Sequence, residues 1–379
     1  MTRRTIALLT AAAALALGLP ASASALPRGA EVRLYKGGLS FPVDMAWVEG
    51  TKKIFFTEKN SGKVRIMRGK RLRGRACVNL DVANSGEQGA LGIVLHPSFK
   101  KNKWLYVMYT HSSGEMRVTR FKVRNNRCRR PKHILQGIPA SSGYHNGGQL
   151  EFVGKKLLVS TGENHNPGAA QDTNNRLGKI LRYNADGTIP DSNPFKSLTG
   201  APLPVWSYGH RNPFGLAVKP GTVKLYETEN GPNCDDELNR IRKGRNYGWG
   251  SGYECGTRGV GDDPKPPLRR WSNIIVPTDP TWYVGRMKAL SNKLIVPDFE
   301  GGLHKIIMNR RGTRVREDRI IYRHAGGIVD VSKGPRGWLY FLTPTAIFRI
   351  VRRRESASQV LTGGGLLGPR REASTPHFL

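Results

Sequence analysis

Four short segments hold most of the side chains in this 379-residue chain that could do chemistry. Gly86-Glu87-Gln88-Gly89, Tyr144-His145-Asn146-Gly147-Gly148 and Gly209-His210-Arg211-Asn212-Pro213 each stand just before a short apolar run. The fourth, Glu229-Asn230-Gly231-Pro232-Asn233-Cys234-Asp235-Asp236-Glu237, lies between two such runs. An imidazole gains or loses a proton near neutral pH. A guanidinium stabilises negative charge as it develops. Carboxylates and free backbone carbonyls are the hard oxygen donors that calcium takes. Together these groups suit a polar small-molecule pocket with proton transfer and charge stabilisation. Each segment also has a plainer reading. The glycine pairs can be turns, His210 a hydrogen-bonded structural histidine, and Asp235-Asp236-Glu237 a loop cap. The functional reading rests on offset: three segments fall at nearly the same place before an apolar strand.

A repeat sets that offset. Central strands are expected at Ile54–Phe56, Leu105–Val107, Leu157–Val159, Leu225–Glu227, Leu294–Val296 and Leu339–Phe341. Each is followed by a partner: Lys63–Met67, Arg117–Val123, Lys179–Tyr183, Glu237–Ile241, Leu303–Ile307 and Ala346–Ile350. Each follows a third apolar segment, such as Gly92–Leu95, Leu150–Val153 or Leu216–Val218. The period of about 45–70 residues suits propeller blades with long loops. Strands this short leave no room for parallel crossovers. The expected fold is all-β, a six-bladed β-propeller. Glu31–Tyr35 is an orphan strand and the last repeat lacks a fourth, so their pairing should close the ring. In such a ring the four polar segments meet above the central channel.

The ends and the composition add constraints. Arg3, Arg4, the apolar run Ile6–Leu19 and Ala23-Ser24-Ala25 read as a leader for export over residues 1–25. No second stretch is apolar enough to be a transmembrane segment, so a secreted or periplasm-like location is expected. Residues 26–352 then form one domain, and 353–379 a Gly/Ser/Pro-rich tail with no strand pattern. The net charge of +33 favours polyanionic partners, such as an anionic wall polymer. The basic residues are spread along the chain, and no nucleic-acid motif accompanies them. The four cysteines, Cys77, Cys128, Cys234 and Cys255, include no C-x-x-C pair and read as disulfides. Of three possible pairings, Cys77–Cys128 with Cys234–Cys255 is preferred.

Several stretches resemble the glucose/sorbosone dehydrogenase family. They are Gly86–Gly92, Ser207–Pro213 and Gly231–Asn239, with Gly178–Arg182 and Gly244–Trp249. The resemblance runs from about Phe41 to Val351. It implies a six-bladed propeller that oxidises the C1 hydroxyl of an aldose, using pyrroloquinoline quinone (PQQ) and calcium. By position, His145 matches the general base and Gln88 a substrate contact. Arg211 matches the cation beside the quinone oxygens, and Asn212 a cofactor contact. Gly231 and Pro232 match the residues whose backbone carbonyls ligate calcium. The resemblance names no electron acceptor and no particular sugar.

The chain departs from the family pattern at four positions. Tyr144 stands where an aspartate usually precedes the base. Glu300 aligns with a lysine, and Gly327 and Val329 with two arginines entering the last blade. Those cations would neutralise the PQQ carboxylates, so PQQ affinity should be low among family members. His304, Lys305, Arg323 and His324 are the candidate substitutes. The alternative reading is a PQQ-less propeller that binds carbohydrate or an anionic wall polymer through the same pocket.

Overall fold

The computed structural model describes residues 26–353. The leader over 1–25 and the tail beyond 353 lie outside the described residues. The described chain forms six antiparallel sheets arranged as blades. Blade one runs 42–79, blade two 90–139, blade three 150–208, blade four 213–271 and blade five 281–323. Blade six comprises 330–352 and borrows its outer strand from Ala30–Gly37. That strand pairs antiparallel with Ala346–Arg352, matching Ala30 to Arg352 and Gly37 to Ala346. The expected closure is therefore present, and both chain ends of the ring are covered.

The expected central strands and their partners are all present, each within a strand one to five residues longer. Alternation along them explains the packing. Phe55 and Ile66 face one side of blade one, where they meet Ile93, Leu105 and Val107 of blade two. Ile54, Phe56 and Met67 face the other side, against Tyr340, Leu342 and Ile347 of blade six. Each sheet is thus buried on both faces by its neighbours.

The innermost strands are also joined by carboxyl groups. Asp330 of blade six accepts from Met45 N of blade one at 3.1 Å. Asp44 of blade one accepts from Ile93 N of blade two at 2.6 Å. Asp279, just before blade five, accepts from Leu216 N of blade four at 3.0 Å. Burial pushes the Asp44 carboxyl up to about 7 and that of Glu151, on the inner strand of blade three, up to about 8.

Both preferred disulfides form. Cys77 bonds to Cys128, with Cα atoms 5.0 Å apart, and ties blade one to blade two. Cys234 bonds to Cys255 with Cα atoms 6.1 Å apart, within blade four. Among the described residues, no helix is long and apolar enough to cross a membrane.

Candidate active site

The loops entering blades two, three and four meet over the channel, and Glu87 joins them. Its carboxylate accepts from His145 N at 2.8 Å and from Asn212 Nδ2 at 3.1 Å. Asn212 in turn accepts from Gly147 N at 3.0 Å. Three loops distant in sequence are fixed by one carboxylate and one amide. Close approach of backbones explains the glycines: a Cβ on Gly147 would meet Ser160 O at 2.9 Å, and φ there is +63°.

His145 sits at the centre of this arrangement, 9% exposed, with a left-handed φ of +52°. A non-glycine residue there carries strain, which the Glu87 bonds to its backbone offset. Its Nδ1 contacts Glu163 Oε1. That contact assigns the ring proton to Nδ1 and leaves Nε2 with its lone pair. Glu163 is 1% exposed, and its second oxygen has no partner. The ring of His165 packs edge-on against His145 at 4.3 Å, and half-exposed Tyr144 stacks on His165 at 5.9 Å. Gln88 is nearly buried, and its Nε2 donates to Ala140 O at 2.6 Å.

Arg211, on the loop entering blade four, lies against Glu163, whose backbone N donates to Arg211 O at 2.9 Å. Its guanidinium donates to Asn230 O at 3.0 Å and lies 5.2 Å from the Trp249 ring. Its Nε is buried without a partner. Burial lowers its pKa, and the charges of Glu163, Glu229, Glu87 and Asp236 act to raise it. Glu229 anchors the loop by accepting from Arg211 N. His210 takes the plainer reading. It is wholly buried, with Nδ1 at 3.0 Å from Glu229, Nε2 at 2.9 Å from Ser207 and its ring stacked on Tyr247. Burial first, and then the charge of Glu229, push the Glu227 carboxyl beside it well above its ordinary value.

Gly231 and Pro232 border a small recess shared with Arg211, Glu229, Asp235, Glu237 and Trp249. Gly231 N donates to Asp236 Oδ1 at 2.8 Å, and the other Asp236 oxygen accepts from Ile275 N and Val276 N. Asp235 accepts from Tyr253 Oη at 2.9 Å. Both acids therefore shape the loop. Among the described residues, no hydrogen bond uses the carbonyl oxygens of Gly231 or Pro232. A Cβ on Gly231 would lie 1.9 Å from Cys234 O, so only glycine allows this turn.

The sequence profile of the family described as Glucose / Sorbosone dehydrogenase matches residues 39–352. The chain belongs to that family. It is 30% identical over 347 residues to the aldose sugar dehydrogenase YliI of Escherichia coli, covering 84% of this chain and 91% of the relative. A crystal structure described as a putative glucose dehydrogenase from Thermus thermophilus superposes with a TM-score of 0.76 at 31% identity, over 85% of this chain and all of that one. The PQQ-bound aldose sugar dehydrogenase of Streptomyces coelicolor gives 0.73 at 27% identity, over 86% and 99%.

As a glucose/sorbosone dehydrogenase the chain has an unusual far wall. Val329 is buried in the core between blades one and six. Gly327 has φ +75°, and a Cβ there would lie 2.8 Å from Phe299 O. Glu300 is exposed. Three of the four candidate substitutes have other commitments. His304 is clamped between Asp298 at 2.9 Å and Asp318 at 2.6 Å. Lys305 pairs with Glu317 at 3.1 Å. His324 packs among Tyr322, Phe341 and Phe348. A cation that sequence reasoning missed borders the mouth instead. Lys59, from blade one, donates to Gly86 O at 2.7 Å.

Glu163 was missed too, although a signal for it exists. Thr161-Gly162-Glu163-Asn164 and Thr228-Glu229-Asn230 fall at the ends of the second strands of successive blades. Each glutamate binds Nδ1 of the histidine that enters its own blade.

Proposed function

We propose that this protein oxidises the C1 hydroxyl of an aldose with PQQ and calcium, in an exported compartment. The observation that carries the reading is the His145–Glu163 contact, which leaves one imidazole nitrogen free in a pocket walled by Arg211. When bound, PQQ would accept the hydride and calcium would polarise it as a Lewis acid. The remaining work falls to the chain.

His145 Nε2 is the atom that would take the C1 hydroxyl proton as the sugar is oxidised to the lactone. Glu163, buried against Nδ1, stabilises the imidazolium that results. Glu87 keeps the loops that carry Gln88, His145 and Asn212 in register. The Gly231 and Pro232 carbonyls, free of other hydrogen bonds, would hold the calcium. The unpartnered Arg211 Nε and the unpartnered Asn230 Oδ1 would face the cofactor's oxygens and polar edge. These residues fit the group on this side of the channel. Lys59, beside the loop that carries Glu87, is the further cation that would meet a carboxylate. A cofactor-free binding role through this pocket has no particular observation in its favour.

The test is titration of the protein with PQQ in calcium, followed by Trp fluorescence. Saturable quenching that needs calcium supports the reading. No quenching at saturating calcium contradicts it.

A further inference from the structure

We propose that the outer hairpin of blade two and the adjoining rim of blade one form a binding surface for a linear polyanion. This surface lies on the face opposite the catalytic mouth and does not depend on the redox reading.

Two acid-free stretches of the chain meet here. Residues 59–80 contain no Asp or Glu, and neither do residues 116–150. The Cys77–Cys128 disulfide joins the two. The total charge alone gave no hint of this, because the stretches are separate in sequence and adjacent only in the fold. Lys53 Nζ donates to Asn126 Oδ1 at 2.8 Å and so ties blade one to the tip of the blade-two hairpin. Lys53 has its pKa lowered first by burial and then by the charges of Arg73, Lys103 and Arg68. Cations are therefore crowded against one another along this rim.

The hairpin itself pairs like charges across its strands. Arg127 lies opposite Arg124, Arg129 opposite Lys122, and Lys132 opposite Arg120. Like charges directly opposite destabilise a sheet, so folding gains nothing from them. Lys122, Arg124, Arg129 and Arg130 line one open groove of 500 Å³. Among the described residues, none of these four makes an ion pair or side-chain hydrogen bond. A ladder bulge falls between Arg129 and Lys132, and Arg130 has a left-handed φ of +52°. Guanidinium forks match oxyanions in pairs.

A chain fits this surface better than a bilayer. The exposed large apolar residues among the described ones are Leu34, Tyr144, Leu198, Val223, Ile274, Val284 and Phe299. None belongs to the hairpin or the blade-one rim, so nothing there would insert into lipid. Binding from this side would leave the opposite mouth open to small molecules.

The experiment compares two triple variants of the full protein. One is Arg124→Gln, Arg129→Gln and Arg130→Gln. The other is Arg316→Gln and Arg319→Gln on the outer strand of blade five with Arg352→Gln at the end of the third strand of blade six, with the same change in charge. Binding of labelled inorganic polyphosphate is read by anisotropy over a salt series, with phosphatidylglycerol vesicles in parallel. The hairpin triple should weaken polyphosphate binding about tenfold or more and flatten the salt dependence by about three counterions. The control triple should change affinity less than about threefold. Removing the like-charge pairs should also leave the melting temperature of the hairpin triple unchanged or raise it. Equal losses in both triples would show diffuse attraction only and overturn the proposal. So would tighter binding to vesicles than to polyphosphate, or a hairpin triple that binds like wild type.

Discussion

His145 Nδ1 meets Glu163 Oε1 across 18 residues of sequence, bringing the loop that enters blade three against the loop after its second strand. One imidazole nitrogen is thereby committed and the other is free. His145→Ala should lower kcat by about 10²- to 10⁴-fold, the usual contribution of a general base, with the fold intact. Glu163→Gln keeps the size of the side chain but removes its charge. It should cost roughly 10- to 100-fold in kcat, as loss of an outer partner of an imidazole does, and shift the pH–rate profile. An unchanged profile would reduce Glu163 to a packing role.

The His304 clamp makes a pH prediction. Hydrogen bonds and charges from Asp298 and Asp318 overcome burial and raise its pKa from 6.5 to about 9. Its folded pKa thus exceeds its unfolded one. The stability it contributes is full below about 6.5 and is lost as pH rises through about 9. That difference corresponds to on the order of 3 kcal/mol. Denaturant unfolding of wild type and His304→Gln should therefore differ most near pH 6 and converge toward pH 10. A constant difference would mean that the clamp is not ionic.

The far wall separates two substitutions that sequence alone would treat alike. Glu300→Lys places a cation on an exposed loop and should tighten PQQ binding, with a gain that shrinks at high salt. Val329→Arg would force a cation into a site that is only 5% exposed. It should destabilise the fold by several kcal/mol rather than help the cofactor. Equal stability of the two variants in thermal melts would contradict this packing argument.

Calcium should raise the melting temperature in a concentration-dependent way. Cys234 and Cys255 close a loop with a sequence separation of 21. Such a bond is typically worth about 3 kcal/mol. Cys234→Ser with Cys255→Ser should lower stability by that order and weaken the calcium response, since Gly231 turns directly against Cys234 O. A calcium response of full size in the double variant would uncouple the two.

The ring was legible in the sequence because its strands alternate and its turns recur. The orphan strand at Glu31–Tyr35 and the incomplete last repeat were enough to predict closure. The pocket was legible in part. The offset of Gln88, His145 and Arg211 brought them to one face, but it could not say which histidine was structural. Only three dimensions show that His210 has both ring nitrogens occupied while His145 has one free. Glu163 was hidden because a single carboxylate after a strand looks like any solvated loop acid. It gains meaning only beside its repeat-mate Glu229. The room at Val329 was not legible: it packs in the core between blades one and six and borders a narrow cleft with Gly147 and Gly148.

The most direct test is a single-turnover experiment. Protein loaded with PQQ and calcium is mixed with an aldose, and the quinone absorbance is followed in wild type and His145→Ala. Wild type should convert rapidly to the reduced spectrum. The variant should convert at least about 100-fold more slowly, with PQQ still bound. Equal rates in both proteins, or loaded wild type that no aldose reduces, would contradict this chemistry.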